Sequence, residues 1–223
     1  MSPQIRARSD ISPVVYCIHT SRLILRCWTP TDAPALVEAI AASLDHLRVW
    51  MPWANAEPRG VDVKMDEIRK WRSQFDLGQS YTFGIFDPQQ SQVVGGIGMH
   101  ARIGAGAREI GYWIRADRTR QGLATEAAGA LTRIGFELLK LRRMEIHCDP
   151  KNIASAGVPR KLGYAHELII RRCVPHAAAP QRDSSIWALT RAMYPASGAA
   201  FSQLEAFDAA GRPVLFPTQM LSA

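Results

Sequence analysis

An α+β fold, with a mixed and mostly antiparallel central sheet and helices on both faces, is the architecture this sequence predicts. Three observations carry it. Strand-like runs at 81–86, 93–99 and 109–114 are separated by turn residues and read as an antiparallel meander. Helical and strand-like patterns then alternate as helix 122–140, strand 143–148 and helix 153–162. Two further strands, 164–172 and 184–191, complete an order that fits a sheet covered on both faces.

Taken in order, residues 1–19 read as a loose N-terminal arm, 20–195 as one domain and 196–223 as a C-terminal extension. Arg22 to Cys27 is a first strand. Thr29-Pro30-Thr31-Asp32 is a helix start, for a helix through about Ala42. Trp50-Met51-Pro52-Trp53 is an aromatic loop or short helix end. Val61 to Phe75 is helical, with Val63, Ile68, Trp71 and Phe75 roughly at helical spacing, and Gly78 stops it. Asp87-Pro88 turns the first hairpin, and Gly104-Ala105-Gly106 turns the meander into its third strand. In the extension, Leu204 to Phe207, a turn at Asp208 to Gly211, and Val214 to Phe216 read as an extra β-hairpin beyond the common fold. It is a candidate interface for a homodimer.

The segment Arg115 to Ala127 carries the most chemistry. It follows the apolar run Glu109 to Ile114 and leads into a helix that places Ala127, Leu131, Ile134 and Leu138 on one face. Strand, basic glycine-containing loop and helix start together aim free backbone N–H groups and the positive end of a helix dipole at one point, an anion site. Gly122 lets the backbone approach a phosphate, Ala124 keeps the helix start free of bulk, and Arg118 and Arg120 add positive charge. An ordinary strand-to-helix connection with surface arginines is equally open for an isolated loop. A P-loop and a dinucleotide fold of the usual kind are unsupported, because neither glycine pattern is present.

A second segment, Asn152 to Tyr164, follows the strand-like run Arg143 to Cys148. The loop with Arg120-Gln121-Gly122-Leu123-Ala124-Thr125-Glu126-Ala127, followed by Asn152-x-x-Ser155-x-x-Val158-x-Arg160-Lys161-Leu162-Gly163-Tyr164, resembles the GNAT acetyltransferase superfamily. Asp45 to Trp53 and the strand Ser21 to Cys27 are similar to its RimJ/RimL branch of ribosomal-protein-alanine N-acetyltransferases. The resemblance spans about residues 20 to 195 and implies the GNAT sheet, acetyl-CoA as co-substrate and an amine acceptor. One departure is Thr119, where relatives often carry Arg or Gln. Backbone amides carry most of the loop's work, so Thr119 is expected to be tolerated, with Arg118 or Arg120 compensating.

The resemblance implies a gap between the strand ending near Ile114 and the strand 143–148, in which the pantetheine arm would use backbone groups of Tyr112, Trp113 and Ile114. Thr119, Arg120, Gln121, Gly122, Leu123, Ala124 and Thr125 would hold the pyrophosphate. Asn152 would touch the CoA arm, and Ser155 would donate to the departing sulfur; a helix cap is the ordinary role for Asn152. Val158 and Leu162 read as core, and Gly163 as a helix terminator.

Transfer from a thioester to an amine needs a proton acceptor. Glu109 is the first candidate, beside the alternative of a solvated edge-strand glutamate. His147 and Asp149 follow it, since alternation puts Glu145, His147 and Asp149 on one strand face. A water chain with no dedicated base stays open. Trp50 and Trp53 are candidate acceptor-site residues, against a core role.

With 223 residues, 47% hydrophobic and 21% charged, the chain can bury one sizeable core. No apolar run nears the roughly 20 residues of a membrane helix, and the N-terminus lacks a signal-peptide pattern, so cytoplasm is the expected compartment. Cys17, Cys27, Cys148 and Cys173 form no Cys-x-x-Cys, and Cys27 and Cys148 read as small buried thiols. Neither a metal site nor a disulfide framework is supported. The net charge of +7 suits a polyanionic cofactor, and the basic residues do not cluster as in nucleic-acid binders. The leading expectation is an acetyl-CoA-dependent N-acetyltransferase acting on a protein N-terminus or a small amine. The competing classes are a non-catalytic acyl-CoA-binding module and a basic nucleic-acid-binding protein.

Overall fold

The computed structural model describes residues 15–173 and 182–217; the first 14 residues of the expected arm and the last six of the expected extension lie outside them. Nine strands form one sheet: β1 (Cys17–His19), β2 (Ile24–Cys27), β3 (Ser80–Phe86), β4 (Val93–His100), β5 (Ala107–Ile114), β6 (Arg143–Cys148), β7 (Ala165–Cys173), β8 (Arg182–Thr190) and β9 (Glu205–Phe207). Their spatial order is β7-β8-β6-β5-β4-β3-β2-β1-β9. All neighbours run antiparallel except β5 and β6. That parallel pair needs a crossover, and the helix between the two strands supplies it.

Five α-helices cover the sheet: α1 (Ala33–Ala41), α2 (Leu44–Trp50), α3 (Val61–Asp76), α4 (Leu123–Glu137) and α5 (Ile153–Leu162). Two cores result. One packs Ala127, Leu131 and Ile134 of α4 and Val158 and Leu162 of α5 against Ile97, Ile110, Met144 and Ile146 of the sheet. The other joins Leu36 and Ile40 of α1, Leu47 of α2 and Ile68 of α3 with Trp28, Phe86 and Val93. The expected apolar stripe of α4 holds, with Leu131 fully buried. In α3 the stripe is narrower than expected, because Ile68 and Phe75 are buried but Val63 is exposed.

The first helix begins through its expected signal. Thr29 forms a capping box with Asp32 around a short 3-10 turn, Pro30–Asp32, that leads into α1. Gly163 ends α5 in the left-handed conformation at φ 86°, as expected.

Three expectations are corrected. Residues 17–19 of the expected loose arm form β1, which pairs with β2 on one side and β9 on the other. A three-residue strand with a single fully inward residue, Ile18, leaves no readable alternation. The first strand starts at Ile24, because the Arg22 backbone and side chain are drawn instead to Glu126. Of the two readings of the aromatic segment the short helix end holds: Trp50 ends α2, and a 3-10 turn spans Pro52–Ala56. The C-terminal hairpin exists, closed by Val214 N–H donating to the Ala206 carbonyl, but its strand β9 extends the main sheet as an edge and is no separate appendage.

Candidate active site

The site starts where two strands part. β5 pairs with β6 from Ala107–Arg143 to Ile110–Ile146 and no further, while β4 stays on β5 to Ile114 and β8 stays on β6 to Cys148. The β6-facing backbone of Gly111 to Ile114 is left without a ladder partner, and an open hydrogen-bonding edge of this kind accepts an extended ligand. The expected gap is there.

At the upper end of the gap, Arg115 is held by Glu38, whose Oε1 accepts from Nη2 at 2.8 Å, and by Asp117, whose Oδ1 accepts from Nε at 3.0 Å. The guanidinium holds the Glu38 carboxyl below the usual range. A 3-10 turn over Ala116–Arg118 follows, and the Thr119 hydroxyl donates back to the Ala116 carbonyl at 3.0 Å. This explains how threonine serves at that position: it closes the turn. Arg120 (φ 60°) and Gly122 (φ 81°) are both left-handed. Gly122 is the N-cap of α4 and offers no side-chain acceptor, so the first N–H groups of the helix point outward uncapped.

These groups border a cavity of about 800 Å³, lined also by Tyr112, Trp113, Ile114, Leu123, Ala124, Thr125, Asn152 and Ser155. Four cations line it, Arg118, Arg120, Lys151 and Lys161, with no carboxylate among the described lining residues. Uncapped amides, four cations and an open strand edge fit a polyanionic, extended ligand such as acetyl-CoA. Gln121 is the one expected loop residue that lines neither this cavity nor the next; its carbonyl accepts from Arg22 at 2.9 Å, so it serves the loop's shape.

A second cavity, about 570 Å³, opens on the other side and shares Trp50, Met51, Tyr112, Trp113, Asn152 and Ser155 with the first. The junction is therefore at Ser155 and Tyr112. Asn152 caps α5, its Oδ1 accepting from Ser155 N–H at 3.0 Å, which is the ordinary role set beside the cofactor role. The Ser155 hydroxyl lies 3.0 Å from the Tyr112 hydroxyl, which also donates to the Ser155 carbonyl at 3.1 Å. Burial pushes the Tyr112 phenol up, so it stays protonated and able to donate. Cys148 is half-buried at the same junction, not fully buried as expected, and its burial raises the thiol.

The second cavity holds the candidate proton acceptors. Glu109 is on an interior strand, its side chain 15% exposed, so the solvated edge-strand alternative fails. It lies 3.6 Å from Arg102 and 4.0 Å from His147 Nδ1. His147 Nε2 is 2.5 Å from Glu145 Oε2, and Arg143 fixes the other Glu145 oxygen at 2.6 Å. An imidazole between two carboxylates, with Asp149 lining the same cavity, is chemically suited to relaying a proton.

Trp50 and Trp53 line this cavity as expected, joined by Trp71 and Trp113, which sequence reasoning did not place there as walls. Nor did it find the ion-pair network behind Trp53. Lys64, on the second turn of α3, is buried and bound to Glu57 and, at 2.7 Å, to Glu67; Glu67 also accepts from Arg59 at 2.5 Å. A lysine in an amphipathic helix is ordinarily solvated, so nothing in the pattern marked it. Lys151 and Lys161, flanking the Asn152 motif, could have been found by counting charges around it. Among the described residues no group of three or more His, Cys, Asp or Glu is placed to hold a metal ion, and no helix is long and apolar enough to cross a membrane.

The family model for the acetyltransferase (GNAT) domain matches residues 22–165. An uncharacterized N-acetyltransferase of Bacillus subtilis (strain 168), YnaD, is 32% identical over 158 residues, 71% of this chain and 88% of that protein. The "Putative ribosomal N-acetyltransferase YdaF" of the same organism is 29% identical over 154 residues, 68% of this chain and 82% of that protein. Among solved structures, a GNAT-family acetyltransferase from Bacillus anthracis superposes with TM-score 0.65 at 25% identity, over 79% of this chain and 99% of that one.

Proposed function

This chain belongs to the GNAT acetyltransferase family, and from that premise we propose that it moves an acetyl group from acetyl-CoA to a primary amine by direct displacement across the Ser155–Tyr112 junction. It is an acetyl-CoA-dependent N-acetyltransferase; the residues and their roles are our reading. The observation that carries it is the meeting of a cation-lined cavity and a tryptophan-walled one at one serine–tyrosine pair.

Acetyl-CoA supplies the acetyl carbonyl and a thiolate leaving group. The chain holds it through the open backbone of Tyr112, Trp113 and Ile114, the uncapped amides at Gly122 to Thr125, and the cations Arg118, Arg120, Lys151 and Lys161. Asn152 borders the same path. As the amine nitrogen bonds to the acetyl carbon, the carbon–sulfur bond breaks, the nitrogen loses a proton and the sulfur gains negative charge. Ser155 donates a hydrogen bond to that sulfur, and Tyr112, kept protonated by burial, backs it. Glu109 takes the proton. Three residues separate Glu109 from Tyr112 on β5, about 10 Å along a strand, so the proton reaches it through water or His147.

Two kinds of amine suit an entrance of this kind. One is a protein N-terminus, in line with the RimJ/RimL resemblance and with the name of YdaF, a putative ribosomal N-acetyltransferase. The other is a small-molecule amine. The test is steady-state release of CoA with a panel of both. Release should be amine-dependent, and Glu109→Gln should lower kcat about 10²–10⁴-fold. An unchanged kcat across pH would remove Glu109 from the chemistry, and His147→Gln would be measured next.

A further inference from the structure

The floor of the second cavity is built largely from glycine. Glu109, Gly111 and Trp113 alternate on one face of β5, and their partners on β4 are His100, Gly98 and Gly96; all line the cavity. Two flat side chains lie over the β4 glycines: a Cβ on Gly98 would come within 2.8 Å of the His100 ring, and one on Gly96 within 2.7 Å of the Trp113 indole. The backbone is bare at Gly111, where a Cβ would meet nothing nearer than His100 at 3.9 Å. At about 3.3 Å per residue, the floor from Glu109 to Trp113 is about 13 Å long.

Around this strip stand four partly exposed tryptophans from four elements: Trp50 from α2, Trp53 from the 3-10 turn, Trp71 from α3 and Trp113 from β5. Trp53 is 38% exposed, and its ring meets that of Trp113 edge-on at 6.2 Å. A flat floor walled by indoles favours a flat guest, since aromatic pairs gain from offset and edge contacts beyond area alone.

Tryptophan walls also attract cations. Three of the four carboxylates lining this cavity already face cations, which argues against a second ammonium; Asp149 is the fourth. Glu57 and Glu67 are taken by Lys64 and Arg59, and Glu109 faces Arg102. Lys70 adds a positive charge with no ion-pair partner among the described residues. His100 is held neutral at pH 7, its pKa lowered to about 4 by burial and by Arg102 and Arg108.

We propose that the acceptor carries a planar aromatic ring within a few bonds of its primary amine, with the ring lying over Gly111 between the His100 imidazole and the Trp113 indole. This rests on the reading of the cavity as the acceptor site. The amine then reaches toward the junction at Ser155, on the same side as Glu109 and His147.

The experiment compares phenethylamine, n-butylamine, spermidine and an alanine-initiated peptide by CoA release, and follows tryptophan fluorescence while 2-phenylethanol, which cannot react, is titrated into protein saturated with acetyl-CoA. Expected are a kcat/KM for phenethylamine at least about 10-fold above the others and saturable quenching by 2-phenylethanol. Gly111→Val, which fills the floor with a side chain that strands tolerate, should collapse the phenethylamine-to-butylamine ratio and leave acetyl-CoA affinity intact. Trp53→Ala, at an exposed position, should raise KM for phenethylamine more than it lowers kcat. Butylamine, spermidine or the peptide matching phenethylamine, or a ratio indifferent to both variants, overturns the aromatic acceptor while leaving the acetyltransferase intact. CoA release with no amine at all overturns both.

Discussion

Ser155 separates a catalytic role from a structural one more cleanly than any other side chain in the site. The cap of α5 is made by the Asn152 side chain to the Ser155 backbone, so the Ser155 hydroxyl is not needed for it. Ser155→Ala should lower kcat about 10- to 100-fold, the loss of about 1.5–3 kcal/mol from one hydrogen bond to developing charge. Acetyl-CoA affinity and melting temperature should barely move. A normal kcat with a lowered melting temperature would assign the hydroxyl to structure alone. Lys64 gives the opposite case. Lys64→Met leaves Glu57 buried without its cation, which should cost about 3–5 kcal/mol. That is a fall of roughly 6–20 °C for a chain of this size, read by calorimetry. His100 supplies a pH dependence. Its folded pKa, about 4, lies below the ordinary 6.5, so the unfolded chain binds a proton that the folded one refuses. The contribution is fully present above pH 6.5 and is lost as pH falls toward 4, a slope that His100→Gln should flatten. Ser155, Asn152 and Glu109 were legible because motif and alternation mark them. Lys64 and the Tyr112 hydroxyl were not, because their partners come from distant chain segments.

Among elements, the strand–loop–helix from β5 to α4 was readable almost residue by residue. Each part leaves its own mark: an apolar run, basic residues with glycine, then apolar positions at helical spacing. β1 and α2 were not readable as elements, and β9, read as a hairpin strand, was not readable as the partner of β1. β1 and β9 are three residues each and owe their form to pairing with one another, and α2 is a seven-residue helix between two others. Gly122 shows what structure adds to a legible motif. At φ 81° the proposed phosphate-facing residue is also a left-handed N-cap. A Cβ there would meet only the Arg22 side chain, at 3.5 Å, so conformation and not space restricts the position. Valine would add β-branched strain to bulk and would not separate binding from folding. Gly122→Ala does so better: about 1–2 kcal/mol of strain, or roughly 2–8 °C of melting temperature, against an expected loss of about 10-fold or more in acetyl-CoA affinity. Pantetheine, lacking the pyrophosphate, should bind the wild type more weakly than CoA and be indifferent to the substitution. Equal binding of pantetheine and CoA by the wild type would contradict the cradle.

For the whole molecule, one sheet does two jobs by splitting. Its β5–β6 edges part at the proposed cofactor site, and the β4–β5 face forms the floor of the proposed acceptor site. The fold class was legible because the order of strands and helices constrains it strongly, while the split and the tryptophan-walled floor emerge only when α2, α3 and β5 converge. The net charge of +7 has a local expression in the four cations of the larger cavity, with no carboxylate among its described lining residues. Since acetyl-CoA binds the folded chain, a concentration of 100 times Kd should add about 2.7 kcal/mol of stability. The measurement that bears most directly on the two-cavity site is a crystal structure with acetyl-CoA bound. The expected result has the pyrophosphate on the amides of Gly122 to Thr125, the pantetheine arm along Tyr112 to Ile114, and the thioester sulfur within hydrogen-bonding reach of the Ser155 hydroxyl. A cofactor lying elsewhere, or a sulfur directed away from Ser155 and the tryptophan-lined cavity, would contradict it.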